Sequence, residues 1–421
     1  MFFTNRSPAH SRRALLTTAA LAAGALGLSA AGVQAAPIIV KIGISLPLTG
    51  ADAESATLIK DGALLAIDQA NAKKMVPGYT FVPMVLNNAT ATAGQYDPAQ
   101  AATNAKKFLS DPKVVAIVGP EMSGDGKAMS PILSQGDIAC VTPASTNPDI
   151  TSPAFAGQYR PRGKAVYFRT VTTDAYQGPN MANFYKDDLH VKSVYILDDS
   201  GAYGVGLANA FEAQAKKIGI KVLGHDQLDP KDADYTTILT KIKGLGPDAI
   251  YYGGVGMAGV KLIKQAYDIV PKMIKGGGDG MYGTDLLTGA GFPAAQGWYA
   301  TIAAPHLLDD SKVSSWVNAY DKKFGKQPSD YAITSYDAAE VILHAVKAVA
   351  MEGKKVSHST VRDAIQKTDL MTLQGKVSFN ENGDLMNKVI SVFEIEHNPK
   401  YPLDDMIHQY KYIGVAPQNA S

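Results

Sequence analysis

Short apolar segments alternate with longer segments of helical periodicity along most of the chain. Residues 40–46 are rich in Val and Ile and predict a strand, whereas apolar side chains recur every three or four residues in 53–74 and predict a helix. The same alternation continues to residue 141 and begins again near residue 176. This pattern is typical of βαβ units and largely parallel sheets. We therefore predict two consecutive α/β lobes of similar construction.

The same criteria set the bounds of the other predicted elements. Strands are expected at 79–86, 114–118, 138–141, 167–170, 194–197, 222–224 and 249–252, and helices at 97–109, 125–134, 176–189, 205–218 and 235–244. Beyond Pro305, helices are expected at 311–324, 331–351 and 359–367. Two strands, 375–379 and 389–394, follow them and are expected to be joined through the turn at 380–384, which contains Asn-Gly.

The first 35 residues have the composition of an export signal. Three arginines precede an uncharged Ala/Leu/Gly run, and the small residues Val33 and Ala35 are suited to a cleavage site after Ala35. The pair Arg12-Arg13 resembles the twin-arginine pattern, although the general secretory route remains open. No Cys lies near the predicted cleavage site, so we expect a mature periplasmic protein without a lipid anchor.

Composition and charge exclude several classes of protein. With 421 residues, 46% of them hydrophobic and 19% charged, the chain can bury two or three domain cores. Forty Lys and Arg balance 39 Asp and Glu, so no broad basic face for nucleic acid is expected. Cys140 is the only cysteine, so no internal disulfide can form.

Motifs for catalysis are sparse. After residue 36 the chain contains no Gly-x-Ser-x-Gly, His-Glu-x-x-His or Cys-x-x-Cys motif, and its histidines stand singly, so neither nucleophilic catalysis nor a metal site is expected. One segment, 254–259, has the Gly-x-Gly-x-x-Gly form and follows a predicted strand. It leaves open, as a remote alternative, an exported enzyme that uses a nucleotide cofactor.

Two polar segments follow neighbouring predicted strands. Ser123 lies where the strand 114–118 leads into a helix, so its hydroxyl and nearby N–H groups are suited to an anion. The segment 142–147 adds small hydroxyl residues at the next strand end. Because the carboxyl ends of parallel strands meet at one edge, the two segments together predict a site for a carboxylate. Ordinary helix capping is the alternative for either segment alone.

An ordered set of motifs resembles the periplasmic solute-binding proteins of ABC importers, in the leucine/isoleucine/valine-binding family. The motifs are 41–50 (KIGISLPLTG), Asp97-Pro98, 142–146 (TPAST), Arg169-Thr170 with 177–179 (QGP), 203–206 (YGVG) and 251–254 (YYGG). They span nearly all of the chain after the predicted signal.

The resemblance implies a type I periplasmic binding fold, in which three crossovers form a hinge between two Rossmann-like lobes. We expect the crossovers near 172, 304 and 395, so that 36–172 plus 305–394 form lobe 1 and 173–304 plus 395–421 form lobe 2. It also implies a monomer, without enzymatic activity or a cofactor, that closes on an amino acid and delivers it to an inner-membrane ABC permease. A ligand-sensing module of a receptor is disfavoured, because no membrane segment or signalling domain follows Ser421.

The resemblance also implies roles for particular residues. The carboxylate of the ligand would be held by Ser123, Ala144 and Thr146, and its ammonium by Asp279. Aromatic walls would come from Tyr203 and Tyr336.

The chain departs from the family pattern at several of these positions. Ser55 and Val255 stand where the family has tyrosines, and Tyr96 and Met122 stand where it has a disulfide. The two smaller side chains should enlarge or reshape the pocket, so a branched-chain or related amino acid is expected, with an aromatic acid or an amide as the alternative ligand.

Overall fold

The computed structural model describes residues 36–419, and the predicted export signal at 1–35 lies outside them. Five strands form a first sheet in the order β2-β1-β3-β4-β5, and every neighbouring pair is parallel. The strands are β1 (Ile38–Leu46), β2 (Tyr79–Asn87), β3 (Val114–Val118), β4 (Ala139–Thr142) and β5 (Tyr167–Arg169). Parallel strands need crossover connections, and helices supply them here.

The crossover helices of the first sheet follow from local sequence signals. They are α1 (Ala53–Ala72), α2 (Pro98–Ser110), α3 (Ser123–Gln135) and the single turn α4 (Ala156–Tyr159). At the start of α2, the Asp97 carboxylate accepts a hydrogen bond from the Ala99 N–H at 2.9 Å, and proline occupies the first helical position.

A second sheet of seven strands has the order β14-β13-β10-β9-β8-β6-β7. The strands from β10 to β7 pair in parallel, whereas β13 pairs antiparallel with both β10 and β14. These strands are β6 (Ser193–Asp198), β7 (Lys221–Gln227), β8 (Ala249–Gly253), β9 (Ile274–Gly277), β10 (Trp298–Ile302), β13 (Ser391–Ile395) and β14 (Tyr410–Val415). The helices that accompany this sheet are α5 (Asp174–Asp187), α6 (Ala202–Lys217), α7 (Thr236–Leu245), α8 (Gly256–Ile269), α9 (Thr284–Ala290) and α13 (Met406–Gln409).

The segment between β10 and β13 returns to the first sheet. It contains α10 (Ser314–Phe324), α11 (Asp330–Met351), α12 (His358–Gln366) and a small antiparallel pair, β11 (Asp369–Thr372) with β12 (Gly375–Ser378). Helix α11 is buried along most of its length and packs against α1, while α12 packs near β3 and β4.

Two predictions about the last quarter of the chain are wrong in detail. Strand β12 pairs with β11, and β13 lies in the second sheet, so no hairpin forms between 375–379 and 389–394. The turn at 380–384 does form, with the Asn380 N–H bonded to the Asp384 carbonyl at 2.9 Å. Residues 391–394, assigned above to lobe 1, instead bury apolar side chains such as Val392 and Phe393 in the second sheet.

The predicted fold class, two α/β lobes with mainly parallel central sheets, is confirmed. The chain passes between the sheets after β5, after β10 and before β13. The passages are hydrogen-bonded to one another: the Thr172 N–H donates to the Ala303 carbonyl, and the Ser391 hydroxyl donates to the Ala304 carbonyl, each at 2.8 Å. These bonds align the three connecting segments side by side.

The close approach of α1 and α11 predicts a large effect for one glycine. A Cβ added at Gly62 would overlap the Ala332 carbonyl, whereas a Cβ at Gly244 in α7 would meet nothing within 4 Å. We expect Gly62→Ala to lower the free energy of unfolding by about 1–3 kcal/mol through overpacking. Gly244→Ala should leave it unchanged or raise it by up to about 1 kcal/mol, because alanine favours the helix.

Urea unfolding of both variants, followed by circular dichroism, tests this helix contact. Equal midpoints for the two variants would contradict the proximity of α1 to α11.

Candidate functional site

A cavity lies between the two sheets, where loops leave the carboxyl ends of their parallel strands. Such edges are the usual ligand sites of open α/β sheets. The cavity has about 750 Å³ of space outside protein atoms, counting its mouth. Its lining residues are Ala51, Asp52, Ser55, Ile59, Glu121, Met122, Ser123, Ala144, Tyr203, Val255, Gly256, Asp279, Gly280, Tyr282, Gly283, Asp285, Leu286, Ser329, Tyr331 and Met406.

Most of the residues singled out from the sequence meet at this cavity. Loops and helix starts beside the first sheet bring three of them, Ser55, Ser123 and Ala144. The region of the second sheet brings the others, Tyr203, Val255 and Asp279. The cavity is thus built from both parts of the fold.

Thr146 and Tyr336 lie elsewhere. Thr146 is buried outside the cavity wall, where its carbonyl accepts a hydrogen bond from the Asp174 N–H at 3.0 Å. The Tyr336 hydroxyl donates to Gln69 Oε1 at 2.9 Å within the core beside α1. Helix α11 instead places Tyr331 at the cavity, because a shift of five residues turns a side chain to a different helix face.

Ser123 combines a hydroxyl with a helix N-terminus. It is the first residue of α3, and its Oγ accepts hydrogen bonds from the Asn147 N–H and the Ser145 hydroxyl, both at 3.2 Å. Because Oγ accepts both of these hydrogen bonds, the Ser123 hydroxyl proton remains available for donation to a ligand atom. The N–H groups and partial positive charge of the α3 N-terminus favour an anion there.

Asp279 is the acidic residue of the opposite wall. It begins a single 3-10 turn after β9, is buried, and its Oδ2 accepts a hydrogen bond from the Tyr331 hydroxyl at 2.6 Å. Burial raises the pKa of Asp279, while hydrogen bonds from the Tyr203 and Tyr331 hydroxyls oppose that rise. The carboxylate is therefore held by donors but retains capacity to bind a cation.

Asp174, the first residue of α5, lies close behind Asp279. Burial, and then repulsion from Asp279, raises the pKa of Asp174 well above its ordinary value. Its Oδ2 has no hydrogen-bond partner among the described residues. Repulsion between the two buried carboxyl groups disfavours the ionisation of both at once, and the hydrogen bonds from the Tyr203 and Tyr331 hydroxyls favour the charge on Asp279.

The remaining carboxyl groups of the cavity are Asp52, Glu121 and Asp285. Asp285 Oδ1 and Oδ2 accept hydrogen bonds from the Glu54 and Ser55 N–H groups at 3.0 and 2.8 Å, at the start of α1. Asp52 Oδ2 accepts one from the Tyr96 N–H at 3.0 Å. No Lys, Arg or His of residues 36–419 is among the lining residues.

The two parts of the fold touch at the rim of the cavity. Besides the bonds from Asp285 to α1, the Asn147 side-chain amide donates to the Ala202 carbonyl at 2.7 Å. Because each bond joins a group beside the first sheet to one beside the second, these contacts hold the described conformation closed.

Sequence reasoning missed Tyr331, Asp52, Glu121 and Asp285. Glu121 had a visible signal, since it is a charged residue in the short loop after the buried strand β3, two residues before Ser123. The other three gave none. Asp285 and Tyr331 reach the cavity through the packing of α9 and α11, and Asp52 lies directly before α1.

The glycine-rich segment 254–259 does not offer a free phosphate cradle. The Val255 N–H donates to Asp199 Oδ2 at 2.9 Å, so a carboxylate already lies where a phosphate would need that donor. A Cβ at Gly254 would overlap the Tyr252 hydroxyl, so this glycine serves close packing. The loop forms part of the cavity wall through Val255 and Gly256.

Within 36–419, no group of three or more His, Cys, Asp or Glu is arranged to hold a metal ion. No helix in the same range is both long and apolar enough to cross a membrane.

Two α/β lobes that enclose a cavity lined by carboxyl groups and apolar side chains have the architecture of a two-lobed binding protein. The family model described as periplasmic binding protein matches residues 39–400, and the chain belongs to this family. The family consists of binding proteins, so the chain is not an enzyme.

Individual relatives are similar over nearly their whole length. The chain is 30% identical over 360 residues to the Leu/Ile/Val-binding protein BraC3 of Rhizobium johnstonii, covering 85% of this chain and 92% of that one. It is 28% identical to the leucine-, isoleucine-, valine-, threonine- and alanine-binding protein of Pseudomonas aeruginosa, over 84% of this chain and 89% of that one. The crystal structure of a leucine-binding protein from Thermotoga maritima is 25% identical, with a TM-score of 0.75 over 90% of this chain and 98% of that chain.

The buried acids of the cavity predict a pH dependence of stability. Burial raises the pKa of Asp52 from 3.8 to about 7, with Asp285 and Asp199 adding repulsion. The folded state thus binds this proton more tightly than the unfolded state, so its stabilisation is present at acid pH and lost as the pH rises through about 7. Between pH 5 and 7.5, the free energy of unfolding should therefore fall less in Asp52→Asn than in the unsubstituted protein. We expect the two decreases to differ by at least about 1.4 kcal/mol, which is the value of one pKa unit.

Urea unfolding at the two pH values measures this difference. Asp268→Asn, at an exposed position in α8, is the matched control and should keep the original pH dependence. A pH dependence for Asp52→Asn equal to that of the control would show that Asp52 titrates normally.

Proposed function

We propose that the chain is the solute-binding component of an ABC importer and binds an α-amino acid in the cavity between its lobes. The observation that carries the proposal is the buried Asp279 carboxylate facing a cavity whose other wall bears Ser123 and the start of α3. A zwitterion carries an ammonium group that can bind Asp279 and a carboxylate that can bind Ser123 and the start of α3. The names of the relatives, which are leucine-, isoleucine- and valine-binding proteins, support the same class of ligand.

The ligand carboxylate would bind at the α3 side. The Ser123 hydroxyl and the N-terminal amides of α3 supply donors, and the half-buried Ala144 lies beside them on the same wall. Charge-assisted bonds of this kind are roughly twice as strong as neutral ones. Thr146 would act indirectly, by linking the loop after β4 to the start of α5.

The ligand ammonium would bind Asp279, with Tyr203 beside it. The Tyr203 hydroxyl accepts a hydrogen bond from the Gly280 N–H at 3.2 Å, which fixes the ring next to the acid. An ammonium offsets the cost of burying the Asp279 charge. An aromatic acid or a simple amide brings no cation to this position, so an amino acid is favoured over both alternatives.

Binding would be coupled to closure of the lobes. We assign 36–172 plus 305–390 to lobe 1 and 173–304 plus 391–419 to lobe 2, with the three connecting segments as the hinge. A ligand that contacts Ser123 and Asp279 together binds only the closed form fully, so it shifts the population toward that form. The closed form is then the species offered to an inner-membrane permease.

Export and assembly follow from the same role. Residues 1–35 would serve as a signal removed near Ala35, by either the twin-arginine or the general secretory route. The mature protein would be a periplasmic monomer, because each chain contains both halves of its own site.

Replacement of the acid tests the ammonium site. Asp279→Asn keeps the shape of the side chain but removes its charge, and we expect at least a tenfold loss of affinity for whichever of L-leucine, L-alanine and L-ornithine the protein binds most tightly. Tenfold corresponds to about 1.4 kcal/mol. Isothermal titration calorimetry gives the affinities, and the thermal midpoint confirms that the variant is folded.

Asp268→Asn is the control and should bind like the unsubstituted protein. Unchanged affinity in folded Asp279→Asn would contradict the ammonium role. Binding of benzoate with equal affinity to both proteins, and of no amino acid, would favour the aromatic-acid alternative.

A further inference from the structure

Glu121 is the one carboxyl group of the cavity wall whose role the zwitterion site does not explain. It follows β3, two residues before Ser123, and lines the cavity. Its Oε2 is buried without a hydrogen-bond partner among the described residues. Buried polar atoms are nearly always paired, and an unpaired buried carboxyl group is costly.

No Lys, Arg or His of residues 36–419 lines the cavity beside Glu121. Asp125, four residues further along, is fully buried with both carboxyl oxygens unpartnered among the described residues, and burial raises its pKa well above the ordinary value. Burial, followed by repulsion from Asp52, Asp285, Asp125 and Asp279, raises the pKa of Glu121 well above its ordinary value. A positive group of the ligand beside Glu121 would lower that pKa and stabilise the ionised carboxylate.

The other acids of the wall already have donors. Asp285 accepts hydrogen bonds from the first N–H groups of α1, Asp52 accepts one from the Tyr96 N–H, and Asp279 accepts one from the Tyr331 hydroxyl. Among the described carboxyl groups that line the cavity, Glu121 is therefore the one with a buried oxygen that accepts no hydrogen bond. A single ligand ammonium bound at Asp279 would leave Glu121 Oε2 without a hydrogen-bond partner.

The cavity also has space and apolar surface for a long side chain. Ser55 and Val255 present small side chains to it, and Ile59 and Leu286 add apolar walls. An aliphatic chain fits such walls, and a cationic nitrogen at its end fits an acid.

We propose that the solute is an α-amino acid whose side chain ends in a cationic nitrogen, and that Glu121 binds that nitrogen. The inference rests on the proposed function, because Asp279 and Ser123 must first hold the zwitterionic end. Glu121 then acts as a specificity residue, since a cationic nitrogen stabilises its ionised form and makes a charge-assisted hydrogen bond with it, whereas an apolar side chain leaves its buried oxygen unpaired.

Calorimetry with matched ligands tests the proposal on the full mature chain. L-Ornithine, L-lysine and L-arginine carry the cation, L-norleucine replaces it with a methyl group, and L-citrulline replaces a guanidinium with a neutral urea group. We expect at least one of the three cationic amino acids to bind at least tenfold more tightly than norleucine and citrulline.

Substitution of Glu121 assigns the effect to this residue. Glu121→Gln should lower the affinity for the preferred cationic ligand at least tenfold while changing the affinity for norleucine less than threefold. The ratio of the two affinities should therefore decrease. Glu381→Gln, at an exposed turn position, is the matched control and should retain the preference. A thermal midpoint for each variant verifies folding, and Glu121→Met provides a second variant of similar length if Glu121→Gln fails to fold.

Each result separates this inference from the proposed function. Tighter binding of L-leucine or norleucine than of all three cationic ligands would overturn the inference and leave amino-acid binding intact. Equal binding of citrulline and arginine would overturn the need for a cation. An unchanged preference for the cationic ligand in Glu121→Gln would show that Glu121 does not bind the cationic nitrogen. Failure of every L-amino acid to bind would contradict the proposed function itself.

Discussion

The organisation of the molecule depends on keeping the Asp279 carboxylate buried between two lobes. A buried charge needs donors and, where possible, a counter-charge. Tyr331 supplies a donor from α11, a helix that packs with the first sheet, although Asp279 itself follows β9 of the second. The acid is thus supported from both sides of the cavity, and any movement that parts the lobes alters its hydrogen bonding.

Closure and recognition use the same chemistry in this fold. Asp285 reaches from α9 to the free amides of α1, so a carboxylate of one lobe satisfies a helix N-terminus of the other. The N-terminus of α3 is uncapped by any side chain and borders the cavity. One helix start thus stabilises the closed form, while the other remains available to an anionic group of the solute.

Much of the fold could be predicted because periodicity depends on local burial. The strand at Val114–Val118 and the helix starting at Ala53 agree with the sequence pattern, as does the alternation of strands and helices in both lobes. Strand β13 was misplaced because its partners, β10 and β14, are chosen by tertiary packing and not by the nearby Asn-Gly turn. The strands β9, β10 and β14 were not predicted from the sequence pattern.

The site residues were predictable in two ways, from strand ends and from the family resemblance. Ser123 and Ala144 could be placed together from strand ends, and Asp279, Tyr203, Ser55 and Val255 from the family resemblance. Tyr331 and Tyr336 lie five residues apart on one helix, and only the rotation of α11 determines which of them reaches the cavity. A crystal structure of the protein with its preferred amino acid gives the most direct test. Our account predicts the α-ammonium within hydrogen-bond distance of Asp279 and the α-carboxylate at the Ser123 hydroxyl, and a solute bound in the reverse orientation or outside the interlobe cavity would contradict it.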